Sequence, residues 1–177
     1  MNVKAPDEFT EIVEVVVEES EIEEGYVKII VTRGSDDHNF TIPARSALQP
    51  NVLVYGKPID LNAIEKVQSG VNCITLDDDR GHHCDILSLN QLNNMMARAK
   101  AQKKNCYDAV FNKDGLLTEA SHSNVCIVKA GVIWTPATNE HMIRGVTRSL
   151  VLTRAAPSAG VTSIDEASEP VRFEDMI

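Results

Sequence analysis

The sequence predicts an α+β fold, and three observations support this prediction. Apolar residues recur at helical spacing near the amino terminus and again between residues 88 and 104. Short segments rich in β-branched residues, with alternating apolar and polar positions, indicate strands between and after these helices. Glycine-containing turns at 113–115 and 129–131 separate consecutive strands and predict hairpins. Helices combined with antiparallel strands are typical of the α+β class.

The amino-terminal part is predicted to contain one helix and two strands. Pro6 suits the first position of a helix, and the apolar stripe that follows is Phe9, Ile12, Val13 and Val16. Gly25 ends this helix, and residues 26–32 and 52–55 read as strands. Glycine and proline punctuate residues 56–60, which we interpret as a linker. The predicted domains are therefore 1–55 and 61–177, joined by 56–60.

The second part is predicted to alternate strands with two helices. Its strands are expected at 71–76, at 107–112, within 116–128 and at 132–136. A helix is expected from Ser88 to about Lys104, with lysines in its last turn that complement the helix dipole. A second helical pattern follows Gly145, and Pro157 should end it.

The composition excludes several classes of partner. The 177 residues carry a formal net charge of −9, and such a chain offers no basic surface to offset phosphate repulsion. We therefore expect neither a nucleic-acid nor a membrane partner. The four cysteines show no CxxC spacing, and the sequence has no signal peptide and no apolar run of about 20 residues. These features predict a cytoplasmic protein with reduced thiols.

The segment 81–93, GHHCDILSLNQLN, concentrates side chains that could perform chemistry. His82, His83 and Cys84 are residue types that bind zinc. Adjacent residues rarely point at one ion, however, and no second pair of ligands follows at a suitable spacing. The sequence also places no base beside Cys84 that would make it a nucleophile. We therefore predict no metal site.

Two other short motifs have more specific physical readings. In Arg144–Arg148, RGVTR, a glycine precedes a helix, so free backbone N–H groups and the Thr147 hydroxyl could bind a phosphate. Glu119 lies between two predicted strands. A carboxylate there could be a surface residue or a turn cap, or it could keep the nitrogen of a pyridinium cofactor protonated.

The order of motifs resembles the fold-type IV pyridoxal-phosphate enzymes. The motifs are VTRG, HNF, the segment from CDILSLN to VIWTP, and MIRGVTR. The family includes D-amino acid and branched-chain aminotransferases and aminodeoxychorismate lyases, and the resemblance is closest to the D-amino acid branch, from about Phe9 to about Val161. It implies that 1–55 is a remnant of the small α/β domain. It also implies that 61–177 is most of the large β-rich cofactor-binding domain, incomplete at its carboxyl end.

The resemblance also implies roles for individual residues. Glu119 matches the acid that pairs with the pyridine nitrogen of pyridoxal 5'-phosphate. Val146 and Thr147 match the residues at a helix start that hold the cofactor phosphate. His38 matches a histidine of the trap that binds the substrate carboxylate. The implied partners are an amino acid and a 2-oxo acid, and the implied assembly is a homodimer.

Three departures from the family pattern bear on activity. Family members carry the Schiff-base lysine in D-[IV]-K-[ST]-L-N, whereas this chain has DILSLN, with Leu87 in the lysine position. Asp36 stands where the carboxylate-binding arginine is expected, and His122 stands where a small residue is usual. No catalytic lysine is thus assigned. We expect a class IV aminotransferase-like protein whose amino-group transfer is impaired. The alternative is a catalytically inactive pseudoenzyme that acts as a binding or dimerisation module.

Overall fold

A computed structural model of the chain describes residues 6–35, 49–160, 162–164, 171, 172 and 174. Asp36 and His38 lie outside the described residues, so their predicted places in a substrate trap stay predictions. The chain divides into two compact units, Met1–Gln68 and Ser69–Ile177, and each is described by itself. Both contain helices and strands, in agreement with the predicted α+β class.

The first unit consists of two helices and a two-stranded sheet. Helix α1 is Pro6–Ser20, strand β1 is Gly25–Val31, strand β2 is Val52–Pro58 and helix α2 is Leu61–Gln68. The strands are antiparallel and in register from Gly25 opposite Pro58 to Val31 opposite Val52. This pairing extends β2 into residues 56–58, which the sequence suggested as part of a linker. Helix α2 was not predicted, although Leu61, Ile64 and Val67 recur at helical spacing; its side chains are all exposed.

The first sheet of the second unit has the order β3-β4-β5 and one helix against it. Its elements are β3 Cys73–Asp77, α3 Leu92–Lys103, β4 Asp108–Lys113 and β5 Leu116–Ala120. Strand β3 pairs in parallel with β4, and β4 pairs antiparallel with β5. The β4–β5 turn has positive φ at both Asp114 and Gly115, which suits the twist of a tight hairpin.

Helix α3 buries small residues instead of its large apolar ones. Ala97 and Ala101 pack with Ala109 and Phe111 in one core cluster. The helix begins at Leu92, whereas the sequence predicted Ser88. Residues 86–91 form turns instead, including a hydrogen bond from the Asn90 N–H to the Ser88 hydroxyl.

A second sheet and a helical segment complete this unit. The sheet contains β6 Ile127–Lys129, β7 Val132–Trp134 and β8 Thr162–Ile164, with β7 in the centre. The helical segment is contiguous: α4 Val146–Leu150, a π-helical turn Val151–Ala155, and α5 Ala156–Ser158. The helix thus ends one residue after Pro157, close to the predicted stop. Among the described residues, no helix is long and apolar enough to cross a bilayer.

Candidate active site

A buried group of three charged side chains lies at the end of β5. The Arg80 guanidinium donates to Glu119 Oε1 at 2.5 Å and to both carboxylate oxygens of Asp78 at 2.9 and 2.8 Å. The side chains of all three are at most 6% exposed. Arg80 also lies 4.2 Å from the centre of the Phe111 ring. One arginine therefore pairs with two buried carboxylates.

Arg80 and Asp78 each shift the pKa of the other. Burial opposes the charge on Arg80, but the hydrogen bonds and charges of Asp78 and Glu119 outweigh burial and raise its pKa. Burial likewise opposes the charge on Asp78, but hydrogen bonds from Arg80 and from the Thr118 hydroxyl outweigh it and lower the pKa of that carboxyl. Sequence reasoning missed Asp78 and Arg80, since the segment DDDRGHHC reads as a polar, solvated loop.

The loop 139–145 is attached to this ion group by backbone hydrogen bonds. The Ile143 N–H donates to Glu119 Oε2 at 2.9 Å, and the Arg80 guanidinium donates to the His141 carbonyl at 3.0 Å. Each oxygen of Glu119 therefore already accepts one hydrogen bond. A carboxylate has about four acceptor positions, so Glu119 can accept a further donor.

A cleft of about 620 Å³ brings together every site residue from the sequence prediction that the structure describes: Leu87, Glu119, Val146 and Thr147. His38 is not among the described residues. Besides Glu119 and Thr147, the polar side chains in the wall of the cleft are Gln91, Asn94, Ser121, His122, Ser123, Asn124 and Arg148. Leu87 is 74% exposed. Among the described residues that line the cleft, there is no lysine.

The helix start at Gly145 is shaped to offer free donors to the cleft. Gly145 is extended, and a Cβ there would overlap the side-chain oxygen of Asn124. Asn124 itself donates to the Ile143 carbonyl at 2.7 Å. In the described part of the chain, the N–H groups of Val146 and Thr147 donate no hydrogen bond, as expected for the first residues of a helix.

Arg148, the second arginine of RGVTR, has a different role. Its buried guanidinium donates to the Thr135 hydroxyl at 3.1 Å and to the Pro136 carbonyl at 2.9 Å. These bonds fix the first turn of α4 to the segment that follows β7. Arg148 therefore anchors the helix start, and it also forms part of the cleft lining.

His122 lines the cleft with its ring held by a buried carboxylate. His122 Nδ1 lies 2.8 Å from Asp108 Oδ2, and the Asp108 side chain is 4% exposed. The other oxygen of Asp108 accepts hydrogen bonds from the Ser121 hydroxyl and from the Ala109 N–H. Sequence reasoning noted His122 as a bulky departure but gave no signal for Asp108, which reads as the start of an ordinary strand.

In segment 81–93, His82 lies in a cluster with Glu140 and His141, whereas His83 and Cys84 do not. His82 Nδ1 lies 3.1 Å from Glu140 Oε1, and His141 Nε2 lies 3.7 Å from the same oxygen. Their ligand atoms lie within 4.8 Å of one another, but His83 and Cys84 do not belong to this group. The predicted absence of a metal stays a prediction. The Cys84 thiol donates to the Gly81 carbonyl, and burial raises its pKa.

The sequence profile of the family described as "Amino-transferase class IV" matches residues 2–176. The D-alanine aminotransferase of Staphylococcus aureus (strain MSSA476) is 34% identical over 145 residues, which cover 82% of this chain and 51% of that enzyme. The chain thus spans about half the length of the curated relatives it matches.

Solved structures with similar folds lie at lower identity. A hypothetical aminotransferase from Mycobacterium tuberculosis, in a PLP-bound form, superposes with a TM-score of 0.78 at 22% identity, over 98% of this chain and 62% of that one. A fold IV transaminase from Curtobacterium pusillum gives a TM-score of 0.76 at 19% identity, over 96% and 57%. The likeness confirms the predicted fold-type IV architecture.

Proposed function

Because this chain belongs to the class IV aminotransferase family, we propose that its cleft binds pyridoxal 5'-phosphate without a covalent link. We further propose that amino-group transfer between a (D-)amino acid and a 2-oxo acid is impaired in it. One observation supports this most directly. Leu87 lines the same cleft as Glu119, Val146 and Thr147, and no described residue of its lining is a lysine.

The residues of the cleft fit the non-covalent contacts of this cofactor. Glu119 has acceptor positions left for a protonated ring nitrogen. The unpaired N–H groups of Val146 and Thr147, with the Thr147 hydroxyl, are suited to a phosphate at the start of α4. A volume of about 620 Å³ suits a small-molecule cofactor. When bound, pyridoxal phosphate supplies an electron sink that acidifies the Cα–H of an attached amino acid.

Leu87 is the reason to expect impairment. An alkyl side chain can neither bind the cofactor aldehyde covalently nor move a proton. Where no other base replaces the lysine, loss of this proton-transfer group costs about 100- to 10,000-fold in rate, and loss of the covalent attachment adds to that cost. The cofactor would be held only by exchangeable contacts.

The choice of substrate rests on the relatives and on His38. The D-alanine aminotransferases are the basis for a D-amino acid as amino donor. We assign His38 to the substrate carboxylate by resemblance, with Asp36 beside it in place of the expected arginine. A cytoplasmic location is part of the proposal, supported by the four cysteines, all of which are unpaired.

A catalytically inactive module that dimerises is the second candidate, and an exposed apolar surface favours it. The residues at and before the start of α3 are 52–74% exposed: Ile86, Leu87, Leu89, Leu92, Met95 and Met96. Clusters of exposed large apolar residues along a chain are typical of interaction sites. A homodimer is consistent with both candidates.

The test compares wild type with Leu87→Lys and a matched Leu87→Met control. Titration with pyridoxal phosphate, followed by absorbance, should show saturable binding to all three proteins. Borohydride should fix the cofactor only in the Leu87→Lys variant, on the lysine introduced at position 87, as located by peptide mass spectrometry. That variant should also gain transfer from D-alanine to 2-oxoglutarate.

Two results would contradict the proposal. Absence of saturable binding by wild type would remove the cofactor role and leave the dimerisation module, which light scattering on wild type and Met95→Lys would then examine. Fixation on another lysine of wild type, with transfer activity, would show that the reaction does not depend on position 87.

A further inference from the structure

We propose that His122, oriented by the buried carboxylate of Asp108, is the proton-transferring base of the cleft. The inference rests on the proposed function, because it assigns a base to a cleft that lacks the family's lysine.

The pairing with Asp108 fixes the ring. His122 Nδ1 lies 2.8 Å from Asp108 Oδ2, a distance typical of a charge-assisted hydrogen bond. Asp108 cannot swing away easily, since its other oxygen accepts from the Ser121 hydroxyl and the Ala109 N–H. The ring is therefore held by a carboxylate that is itself held twice.

The pairing also decides which nitrogen can act as a base. A neutral imidazole whose Nδ1–H donates to a carboxylate carries its lone pair on Nε2. Nε2 of His122 makes no hydrogen bond with the residues that the structure describes, and the half-exposed side chain lines the cleft. A carboxylate that accepts from Nδ1–H positions a catalytic histidine in the same way.

Other ionisable groups of the cleft lining are less suited to the task. Glu119 is engaged by Arg80 and by the Ile143 N–H. Arg148 is buried and donates to Thr135 and Pro136. Cys126 is exposed in the same wall but has no positioning carboxylate in the contacts described.

An aromatic ring and an arginine also lie near the imidazole of His122. The Tyr107 ring lies 6.3 Å from it, centroid to centroid. The Arg98 guanidinium lies 5.6 Å from the centre of the Tyr107 ring, in a cation–π contact. The carboxylate of Asp108 is thus the charged group in direct contact with His122.

The proton balance is simple. Neutral His122 would accept at Nε2 the proton of the substrate Cα–H bond, and bound pyridoxal phosphate would supply the sink for the electron pair of that bond. The imidazolium so formed stays paired with the Asp108 carboxylate. The same nitrogen then returns the proton, so that His122 is regenerated. Asp108 stays ionised throughout and acts as a positioning residue.

The first measurement needs no cofactor. Nitrogen-15 NMR of the histidine rings, assigned with single variants, distinguishes the protonated from the bare ring nitrogen. We expect His122 to carry its proton on Nδ1 in wild type and to lose this preference in Asp108→Ala. A neutral His122 protonated on Nε2 in wild type would overturn the inference. Circular dichroism checks that Asp108→Ala is folded; if it is not, the wild-type tautomer still decides.

The second measurement follows exchange of the D-alanine Cα–H with deuterium from the solvent, with pyridoxal phosphate present and the protein-free rate subtracted. His122→Asn should lower the exchange rate by roughly 100-fold, and the matched control His83→Asn, at an exposed histidine outside the 620 Å³ cleft, should not. Both variants should keep wild-type cofactor affinity within a few fold.

The outcomes separate the two proposals. Saturable cofactor binding with unchanged exchange in His122→Asn would overturn the role of His122 and leave the proposed function intact. No saturable binding by wild type would overturn the proposed function and this inference with it. A loss in His122→Asn that added imidazole partly restores would support the role of the missing base.

Discussion

Replacing Arg80 by Met should destabilise the second unit strongly at neutral pH. The substitution keeps an aliphatic side chain near Phe111 but leaves Asp78 and Glu119, with side chains only 1% and 6% exposed, without their cation. Breaking a buried ion pair by removing one partner costs about 3–5 kcal/mol. With a urea dependence of about 2 kcal/mol per molar, the unfolding midpoint should fall by about 1.5–2.5 M.

The direction in which pH changes the destabilisation by Arg80→Met follows from the pKa of Asp78. The pKa of Asp78 is lowered in wild type by Arg80, so the stability from this group is present above the unfolded pKa of about 3.8 and is lost as pH falls through the lowered value. In Arg80→Met the Asp78 carboxylate lacks that cation, and protonation on acidification removes the cost of burying its charge. The difference in unfolding free energy between variant and wild type should therefore shrink from pH 7 towards pH 4.

Trp134 gives a suitable assay. It is the single tryptophan of the chain, and it lies in the same compact unit as Arg80. Its fluorescence during urea unfolding therefore reports the unit in question. Arg98→Met serves as the control, since Arg98 is partly exposed over Tyr107 and its removal should cost about 1 kcal/mol or less. An Arg80→Met loss no larger than this control at pH 7, or one that grows on acidification, would refute the reasoning.

Two further predictions concern the helix start and the thiols. Gly145→Ala should lower the free energy of unfolding by about 1–3 kcal/mol and weaken pyridoxal phosphate binding. The new Cβ would displace Asn124, although the backbone there is one that alanine adopts. Thermal unfolding measures the stability and cofactor titration measures the affinity. An unchanged melting temperature would contradict the predicted overlap. Iodoacetamide should alkylate Cys126 faster than Cys84 at pH 7, since burial raises the pKa of Cys84 while Cys126 is exposed; time-resolved peptide mass spectrometry would contradict this if Cys84 reacted first.

The fold was predictable where local pattern and burial agree. The stripe of α1 and the alternation in β1 identified both elements within a few residues. Helix α3 was identified by periodicity, but the periodicity chose the wrong face, because Leu92 and Met96 are more than half exposed whereas Ala97 and Ala101 are buried. Period alone cannot say which side of a helix meets the core. Helix α2 carries Leu61, Ile64 and Val67 at helical spacing, and the prediction overlooked this short stripe.

The candidate site was predictable where a motif names residues, and not where charges pair across the chain. Glu119, Val146 and Thr147 follow from short motifs and lie in one cleft. Arg80 and Glu119 are 39 positions apart, and the Asp78–Thr118 contact spans 40. No local pattern reports such pairing, so a buried arginine looks like a loop residue until the fold is known. The role of His122 depends in the same way on finding Asp108.

Because loop 139–145 is hydrogen-bonded to Glu119, we expect the two walls of the cleft to lose their ordered structure together. Ile143 donates its N–H to Glu119 and accepts at its carbonyl from Asn124, so Glu119 and the segment that packs against the helix start at Gly145 share one residue. Local opening of this loop would release both at once. A bound cofactor should then slow amide hydrogen exchange across the whole loop by the factor 1 + [L]/Kd. Cofactor titration and amide hydrogen exchange would then measure the same binding equilibrium.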